Sequence, residues 1–208
     1  MVLLSRGAET STRVAEQIRL ANGKALVVQT DVTRAESVKS AVEQVRSELG
    51  QITALAYNAC GYGRGVFLEV DPKVIQQSFE VGVMGAVYLS QAVIPDMLKA
   101  GHGFISLTGA TATLRGRAGF APLAIAKASL RMLGQSLARE FHPKGIHVVH
   151  LIVDGQIDTP KLRAPQPNRV GETIISADSV AEIVLFTLKQ TPDAWTHEID
   201  LRPHLESF

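Results

Sequence analysis

A glycine-rich stretch, CGYGRG at positions 60–65, is the first group of residues whose types and spacing could do chemistry. Glycines let a backbone approach a phosphate closely, and the N–H groups of a following helix then hold the anion. Here the next predicted helix begins only at Asp71, so the required helix start is missing. We therefore interpret Gly61, Gly63 and Gly65 as a flexible turn, with phosphate binding as the weaker alternative.

Histidine and cysteine are the usual ligands of zinc, and the sequence holds six histidines and one cysteine. His142, His147 and His150 bracket a loop and a predicted strand, and the other histidines do not join them into a ligand set. The single Cys60 excludes an intrachain disulfide and a thiolate cluster, which fits a reducing cytosol. The sequence therefore predicts no metal site.

Length and composition describe an ordinary globular chain. The 208 residues fit one domain, so residues 1–208 are predicted to form a single unit. Lys plus Arg is 21 and Asp plus Glu is 20, which leaves a net charge of +1 with no basic run. A nucleic-acid groove and a polybasic membrane patch are therefore not supported. No apolar run is long enough for a signal peptide or a membrane span, so we expect a soluble, cytoplasmic protein.

Short apolar runs alternate with longer segments of helical period, which is typical of a parallel sheet covered by helices. The runs are apolar almost throughout, as expected for strands buried on both faces. The predicted fold is α/β, a single Rossmann-like, doubly wound parallel sheet with helices on both faces. The strands are predicted at 2–5, 25–29, 52–57, 103–108, 146–152 and 196–201, and the helices at 9–21, 33–49, 72–100, 120–141 and 179–190.

Local signals place the helix ends. Thr33 and Glu36 have the spacing of a capping box for the second helix, and Ser179 with Glu182 opens the fifth in the same way. The third helix is predicted to kink at Pro95.

The order of elements departs from a nucleotide-binding sheet at its start. Such a sheet begins with a strand, a glycine-rich turn and a helix whose first N–H groups bind a diphosphate. Here nothing precedes Val2, so the first strand–turn–helix unit is expected to be missing.

With these elements in place, the sequence resembles the short-chain dehydrogenases/reductases over essentially its whole length. AYNACG looks like a degraded Asn-Asn-Ala-Gly motif, and VDGQIDTP is similar to the family's Pro-Gly turn with Asp154 in place of the proline. The segments that carry the resemblance are TDVT at 30–33, AYNACG at 56–61, LTGATATLRGRAGFAPLAIAKASL at 107–130, VDGQIDTP at 153–160 and AWTHEIDLRP at 194–203.

The resemblance can be checked at the catalytic positions. In the family, a tyrosine lies one helical turn before the catalytic lysine and a serine lies about thirteen residues earlier. Lys127 is present, but Leu123 stands at the tyrosine position, Ala110 at the serine position and Gly82 at the position of the family's asparagine. Leucine cannot donate the proton that carbonyl reduction requires, and the loss of such a general acid costs about a hundred- to ten-thousand-fold in rate.

The resemblance also implies a remnant of a cofactor site for NADP(H) or NAD(H). Arg6 would face a 2′-phosphate, and Lys127 would bond the nicotinamide ribose. Binding is expected to be weak or absent because the diphosphate has no cradle. The implied cofactor residues are Arg6, Asp31, Val32, Asn58, Ala59, Lys127, Ile157 and Thr159. Segment 161–175, which closes over the substrate in the family, is predicted to be mobile.

In the family, the missing strand lies between the strands at 2–5 and 52–57. Three outcomes are possible: the two strands pair directly, another chain supplies a strand, or the sequence is part of a longer product. We favour direct pairing, because unsatisfied buried backbone groups cost about 1 to 3 kcal/mol each.

Two functions compete. The first is a degenerate relative without normal hydride transfer, with an interaction or regulatory role, that forms a homo-oligomer through helices 72–100 and 120–141. The alternative is an active NAD(P)(H)-dependent oxidoreductase with a non-standard proton donor, the chain being a fragment of a longer product. An isomerase or lyase using Lys127 as base ranks last, because no second acid lies near it in the sequence.

Overall fold

The computed structural model of the chain describes residues 1–165, 168 and 171–205. The main strands are β1 (Val2–Ser5), β2 (Leu26–Gln29), β3 (Ala54–Tyr57), β4 (Gly103–Thr108), β5 (Ile146–Val153) and β8 (Glu198–Leu201), with short strands β6 (Gln156–Ile157) and β7 (Ile174–Ile175). The helices are α1 (Ala8–Leu20), α2 (Ala35–Leu49), α3 (Pro72–Phe79), α4 (Gly85–Ala100), α5 (Ala121–Phe141), α6 (Pro160–Arg163) and α7 (Ala177–Leu188). The predicted strands are confirmed with ends that differ by at most two residues.

All strand pairs in the described part of the chain are parallel, and helices cover both faces of the sheet. β5 is the centre, since all eight of its residues are buried. Val148 faces the main core, formed with α2, α4 and α5, whereas Val149 and Leu151 face the opposite side and pack against Ile183 and Val184 of α7. The alternation follows from the two-residue period of a strand. The predicted doubly wound α/β fold is confirmed.

The sheet is divided into two parts, which corrects one prediction. Among the described residues, β1 pairs only with β2, and β3 with β4, in the order β3-β4-β5-β8. The expected direct pairing of β1 with β3 is therefore wrong. Ala54 and Ala56 on β3 are exposed, so water can reach this strand edge, and the full cost of burying its backbone groups does not apply.

The helical layer on one face explains why the gap stays open. α2 contacts both halves of the sheet: Val38 and Val42 belong to the main core, while Ala41 and Val45 pack under β1 and β2. An ion pair between Arg46 on α2 and an aspartate of α4 holds these two helices together. Packed helices lie about 8–10 Å apart, roughly two strand spacings, so this layer keeps the strands beneath it apart.

Two predicted helix starts are also corrected. α2 has no side-chain cap, because the Thr33 hydroxyl donates instead to Asp31 in the preceding turn. α7 begins after Ser176, whose side chain accepts a bond of 3.0 Å from the backbone N–H of Ser179. Ser179 therefore lies inside the helix that it was predicted to begin.

The long third helix is irregular at a place that was not predicted. It continues through Pro95, and a five-residue π-helical turn over Glu80–Met84 separates α3 from α4. By length and composition alone, Pro72–Ala100 could cross a membrane, but half of its most apolar window is buried inside the fold. Such burial is typical of a core helix in a globular protein.

The predicted mobile segment 161–175 includes part of α6 and all of β7. Its residues 166, 167, 169 and 170 lie outside the described part of the chain.

Candidate functional site

Lys127 lies on the buried face of α5 with only 4% of its surface exposed. Its ammonium group donates a hydrogen bond of 2.5 Å to the carbonyl oxygen of Thr108, at the carboxyl end of β4. Burial lowers the pKa of Lys127, and the nearby thiol of Cys60 partly opposes that effect. Leu123, one turn earlier on α5, is half-buried and offers no proton. The site thus has an amine held by the sheet and an apolar side chain beside it.

The segment after β3 brings further predicted residues to the same end of the sheet. Asn58 and Cys60 are exposed, and Ala59 between them packs on the main core. The Cys60 thiol lies near enough to Lys127 to oppose the lowering of its pKa, a proximity that the sequence analysis missed. Its only sequence signal is that Cys60 replaces the glycine usual in the family motif.

Ala110 is extended, and the hydroxyl groups next to it already have partners. The Thr111 hydroxyl donates to the buried carboxylate of Asp154, and the Thr113 hydroxyl accepts a bond of 3.0 Å from the Ala110 N–H. Arg202 also pairs with Asp154. Neither threonine therefore takes over the place of a serine at position 110. The network around Asp154 was not predicted, because its partners are far apart in the sequence.

Gly82 lies in the π-helical turn, where a Cβ would come within 3.1 Å of the Ala126 Cβ on α5. Glycine in a regular helix interior lowers stability by about 1 kcal/mol, but this turn is irregular and tightly packed, so that cost does not apply here. The Tyr57 hydroxyl donates to the carbonyl of Val81, so it satisfies a backbone group of the same turn. Burial raises the pKa of Tyr57, which keeps that phenol protonated.

The glycine-rich loop at 60–65 packs against α3. A Cβ at Gly61 would lie 2.5 Å from the Cα of Ser78, and one at Gly63 would overlap Val74. Close packing therefore accounts for these two glycines, and the helix that follows starts only at Pro72. This supports the interpretation of the stretch as a turn.

Arg6, Gln29, Asp31 and Ser37 line one open cavity of about 370 Å³ at the carboxyl ends of β1 and β2. Hydrogen bonds from Thr33 lower the pKa of Asp31, so its carboxylate is charged. The start of α1 follows Arg6 directly, and a guanidinium beside a helix N-terminus suits a phosphate group. These residues fit the adenosine end of a dinucleotide, although Asp31 also has a purely local role in the turn. Val32 is half-buried and packs on the main core.

The residues predicted for the nicotinamide end have partners within the fold. The Thr159 hydroxyl caps α6 by accepting from Leu162 N–H at 3.2 Å, and Ile157 pairs with β7. Lys127 is bonded to Thr108. Each of these three residues therefore has a partner within the fold, and Lys127 keeps ammonium hydrogens that are not bonded to Thr108.

Histidines form two clusters that the sequence did not predict. His150 is 1% exposed, and its Nδ1 lies 3.0 Å from Glu198, which Arg131 also binds at 2.6 Å. The His147 ring stacks on Trp195 at the other end of β5, and the His142 ring contacts Trp195 edge-on. Within the described residues, no group of three or more His, Cys, Asp or Glu side chains could hold a metal ion.

Comparison with known sequences adds independent information. The family model "short chain dehydrogenase" matches residues 1–169. A 3-oxoacyl-[acyl-carrier-protein] reductase of Escherichia coli is 33% identical over 144 residues, which span 69% of this chain and only 58% of that relative. The chain therefore matches less than two thirds of that protein. An uncharacterized oxidoreductase of Staphylococcus saprophyticus is 27% identical over 98% of this chain and 86% of the relative.

Solved structures agree with this match. A short-chain dehydrogenase from Rhodopseudomonas palustris aligns with a TM-score of 0.82 and 28% identity, covering 98% of this chain and 86% of that one. An alcohol dehydrogenase from Thermococcus sibiricus complexed with 5-hydroxy-NADP gives a TM-score of 0.88 at 20% identity, covering 99% of this chain and 86% of that one. The latter supports the fold alone.

Proposed function

Because the chain belongs to the short-chain dehydrogenase family, we propose that it is an oxidoreductase relative in which normal hydride transfer is lost. The site around Lys127 then serves an interaction or regulatory role by binding a ligand that it does not reduce.

The proposal rests on which side chains stand on α5 and at the end of β4, and on their hydrogen bonds. Leu123 stands one turn before Lys127, so no phenol can protonate a developing alkoxide. The Lys127 ammonium is bonded to Thr108, and the Thr111 hydroxyl donates to Asp154. One N–H of the Lys127 ammonium and the Thr111 hydroxyl proton are therefore used within the fold.

For the cofactor, we propose weak binding of NADP(H) or NAD(H) through the adenosine end. Arg6 would hold a 2′-phosphate, and Asp31 with Ser37 would border the ribose and base. A bound nicotinamide would supply a hydride; Lys127 already donates one N–H to Thr108, and the Thr159 hydroxyl accepts from the Leu162 N–H. A missing charge-assisted hydrogen bond costs about 1.5 to 3 kcal/mol, which is about tenfold or more in affinity.

A titration and a turnover assay test this proposal. NADPH fluorescence should show weak binding, and NADPH absorbance should stay constant with a panel of ketones and aldehydes. The double variant Ala110→Ser and Leu123→Tyr restores both hydroxyls and should show more turnover than the natural chain. Low-micromolar NADPH binding together with turnover by the natural chain would overturn the proposal.

The rival, an active oxidoreductase with a non-standard proton donor, has one supporting observation. Burial lowers the pKa of Lys127, so its ammonium is a better acid than an exposed lysine. If Lys127 is the donor, Lys127→Met should abolish the turnover that this rival requires.

We further propose that the chain forms a homo-oligomer through α3–α4 and α5 (72–100 and 120–141) in the cytoplasm. Leu98, Ile125 and Met132 are apolar side chains on these helices that are 42–52% exposed. Light scattering at micromolar concentration tests the assembly, and a monomer would contradict it. Met132→Glu should shift an oligomer toward monomer.

A further inference from the structure

Two loops meet beside the start of α5. The first is the loop at 60–68 after β3, and the second is the loop at 114–120 before α5. The Gly65 N–H donates to the carbonyl of Gly119 at 2.9 Å. The guanidinium of Arg64 lies 5.9 Å from the centre of the Phe120 ring. These contacts hold the two loops together as one surface, called here the mouth surface.

The mouth surface is positively charged. Its two loops, 60–68 and 114–120, contain Arg64, Arg115 and Arg117 but no aspartate or glutamate. Arg64 and Arg117 are exposed and form no ion pair with a described residue.

Arg115 is only partly neutralised. Its Nη2 lies 3.5 Å from Asp154, and its side chain is 42% exposed. Asp154 is also bound by Arg202, which in turn lies 3.8 Å from Asp200. On the outer side of the first loop, the nearest carboxylate in sequence is Glu69, directly after segment 60–68. Arg64 and Arg117 are therefore the two arginines of the mouth surface that pair with no described carboxylate.

The same surface exposes large apolar side chains. Tyr62 is 63% exposed, Phe67 67% and Leu114 46%. Phe120 and Leu123 lie half-buried where α5 begins. Unpaired guanidinium groups can bind an anion through charge-assisted hydrogen bonds. The apolar side chains beside them can cover an apolar chain and remove it from water. Together they suit a molecule with an apolar body and an anionic end.

We infer that the mouth surface binds an aliphatic carboxylate, with the carboxylate on Arg64 and Arg117 and the chain on Tyr62, Phe120 and Leu123. The inference deepens the proposed function and rests on it in one respect: the pocket binds this ligand without reducing it. Arginine suits this role because its planar fork can donate two hydrogen bonds to one carboxylate.

Isothermal titration of the full chain without nucleotide tests the inference. Octanoate is the probe, and 1-octanol and acetate are its matched controls. Octanoate should bind at least about tenfold more tightly than either, because only it carries both the anion and the chain. Raising the salt concentration should weaken octanoate binding and leave 1-octanol unchanged.

Variants locate the site. The double variant Arg64→Gln and Arg117→Gln should weaken octanoate binding at least about tenfold. The control Arg13→Gln removes an exposed arginine of α1 and should leave it unchanged. No octanoate binding, equal binding of octanoate and 1-octanol, or an unchanged affinity in the double variant each overturns the inference. NADPH turnover, measured separately, would overturn the proposed function but not this binding site.

Discussion

Burial lowers the pKa of several basic residues of this protein. Lys127 is 4% exposed and His150 is 1% exposed, and burial lowers the pKa of each group. For His150 the pKa falls from 6.5 to about 4, although the neighbouring Glu198 opposes the change. His142 and His147 are shifted in the same direction by burial. These histidines are therefore neutral in the folded protein near pH 7.

This burial predicts loss of stability in mild acid. Below its unfolded pKa of 6.5, His150 binds a proton in the unfolded chain but not in the fold until about pH 4. The free energy of unfolding should therefore fall as the pH drops through this window, by about 2 kcal/mol from His150 alone between pH 6.5 and about pH 5. Urea unfolding at several pH values measures this effect.

Two histidine variants test the acid prediction through the slope of the free energy of unfolding against pH. His150→Gln should make the free energy of unfolding less dependent on pH, whereas His102→Gln, at an exposed position, should not. An identical slope in the natural chain and His150→Gln would contradict the assignment to His150.

At the scale of elements, close backbone contacts explain residues that look anomalous in the sequence. Gly82 sits in a π-helical turn against Ala126, and Tyr57 satisfies the carbonyl of Val81 in that turn. Gly61 lies against Ser78 of α3. The glycines of the 60–65 stretch thus position the loop after β3, and with it Cys60 and Arg64.

Gly61→Ala should destabilise the protein by about 1–3 kcal/mol, because the added Cβ would lie 2.5 Å from the Ser78 backbone. Gly116→Ala is the matched control, since its Cβ would meet only Ala124 at 4.0 Å. Urea midpoints of the two variants give the comparison. Equal midpoints would show that the loop adjusts without cost.

The contact between α2 and α4 gives a second prediction for the elements. Asp96 accepts from Arg46 Nε at 2.9 Å and from the Ile52 N–H at 3.3 Å. Asp96→Ala should lower the free energy of unfolding by about 1–2 kcal/mol, because it removes charged hydrogen bonds that are partly shielded from water. Glu140→Ala, which breaks an exposed pair with Lys144, should change it by less than about 0.5 kcal/mol. Chemical denaturation distinguishes the two.

For the whole molecule, the divided sheet is the main consequence of the fold. The Phe104 N–H donates to the carbonyl of Thr53, so Leu55 and Tyr57 bond to β4 and the backbone of Ala54 and Ala56 faces away from it. The two halves of the sheet are joined through α2 and not through strand pairing. Their stabilities can therefore differ.

Hydrogen exchange should show this division. Amides of β4 and β5 should exchange at least about tenfold more slowly than those of β1 and β2, which form a separate two-stranded sheet. Within β3, the amides of Ala54 and Ala56 should exchange faster than that of Leu55. Residue-resolved NMR measures these rates. Slow exchange at Ala54 and Ala56 would mean that a partner strand covers this edge in solution.

The sequence by itself determined the positions of the strands and helices and the fold class. The spacing of apolar residues along a short segment shows which side of that segment is buried. Leu123 and Lys127 are one helical turn apart in any regular helix. Helix starts at Thr33 and Ser179 were wrong because competing turn and cap contacts lie within a few residues of them.

Only the tertiary structure decided which distant groups meet. The bond from Thr111 to Asp154 spans 43 residues, and the contact of His150 with Glu198 spans 48. The separation of β1 from β3 depends on how α2 packs against α4, which no local pattern contains. Such contacts depend on distances between remote segments, and these are fixed only when the helices and sheet pack together.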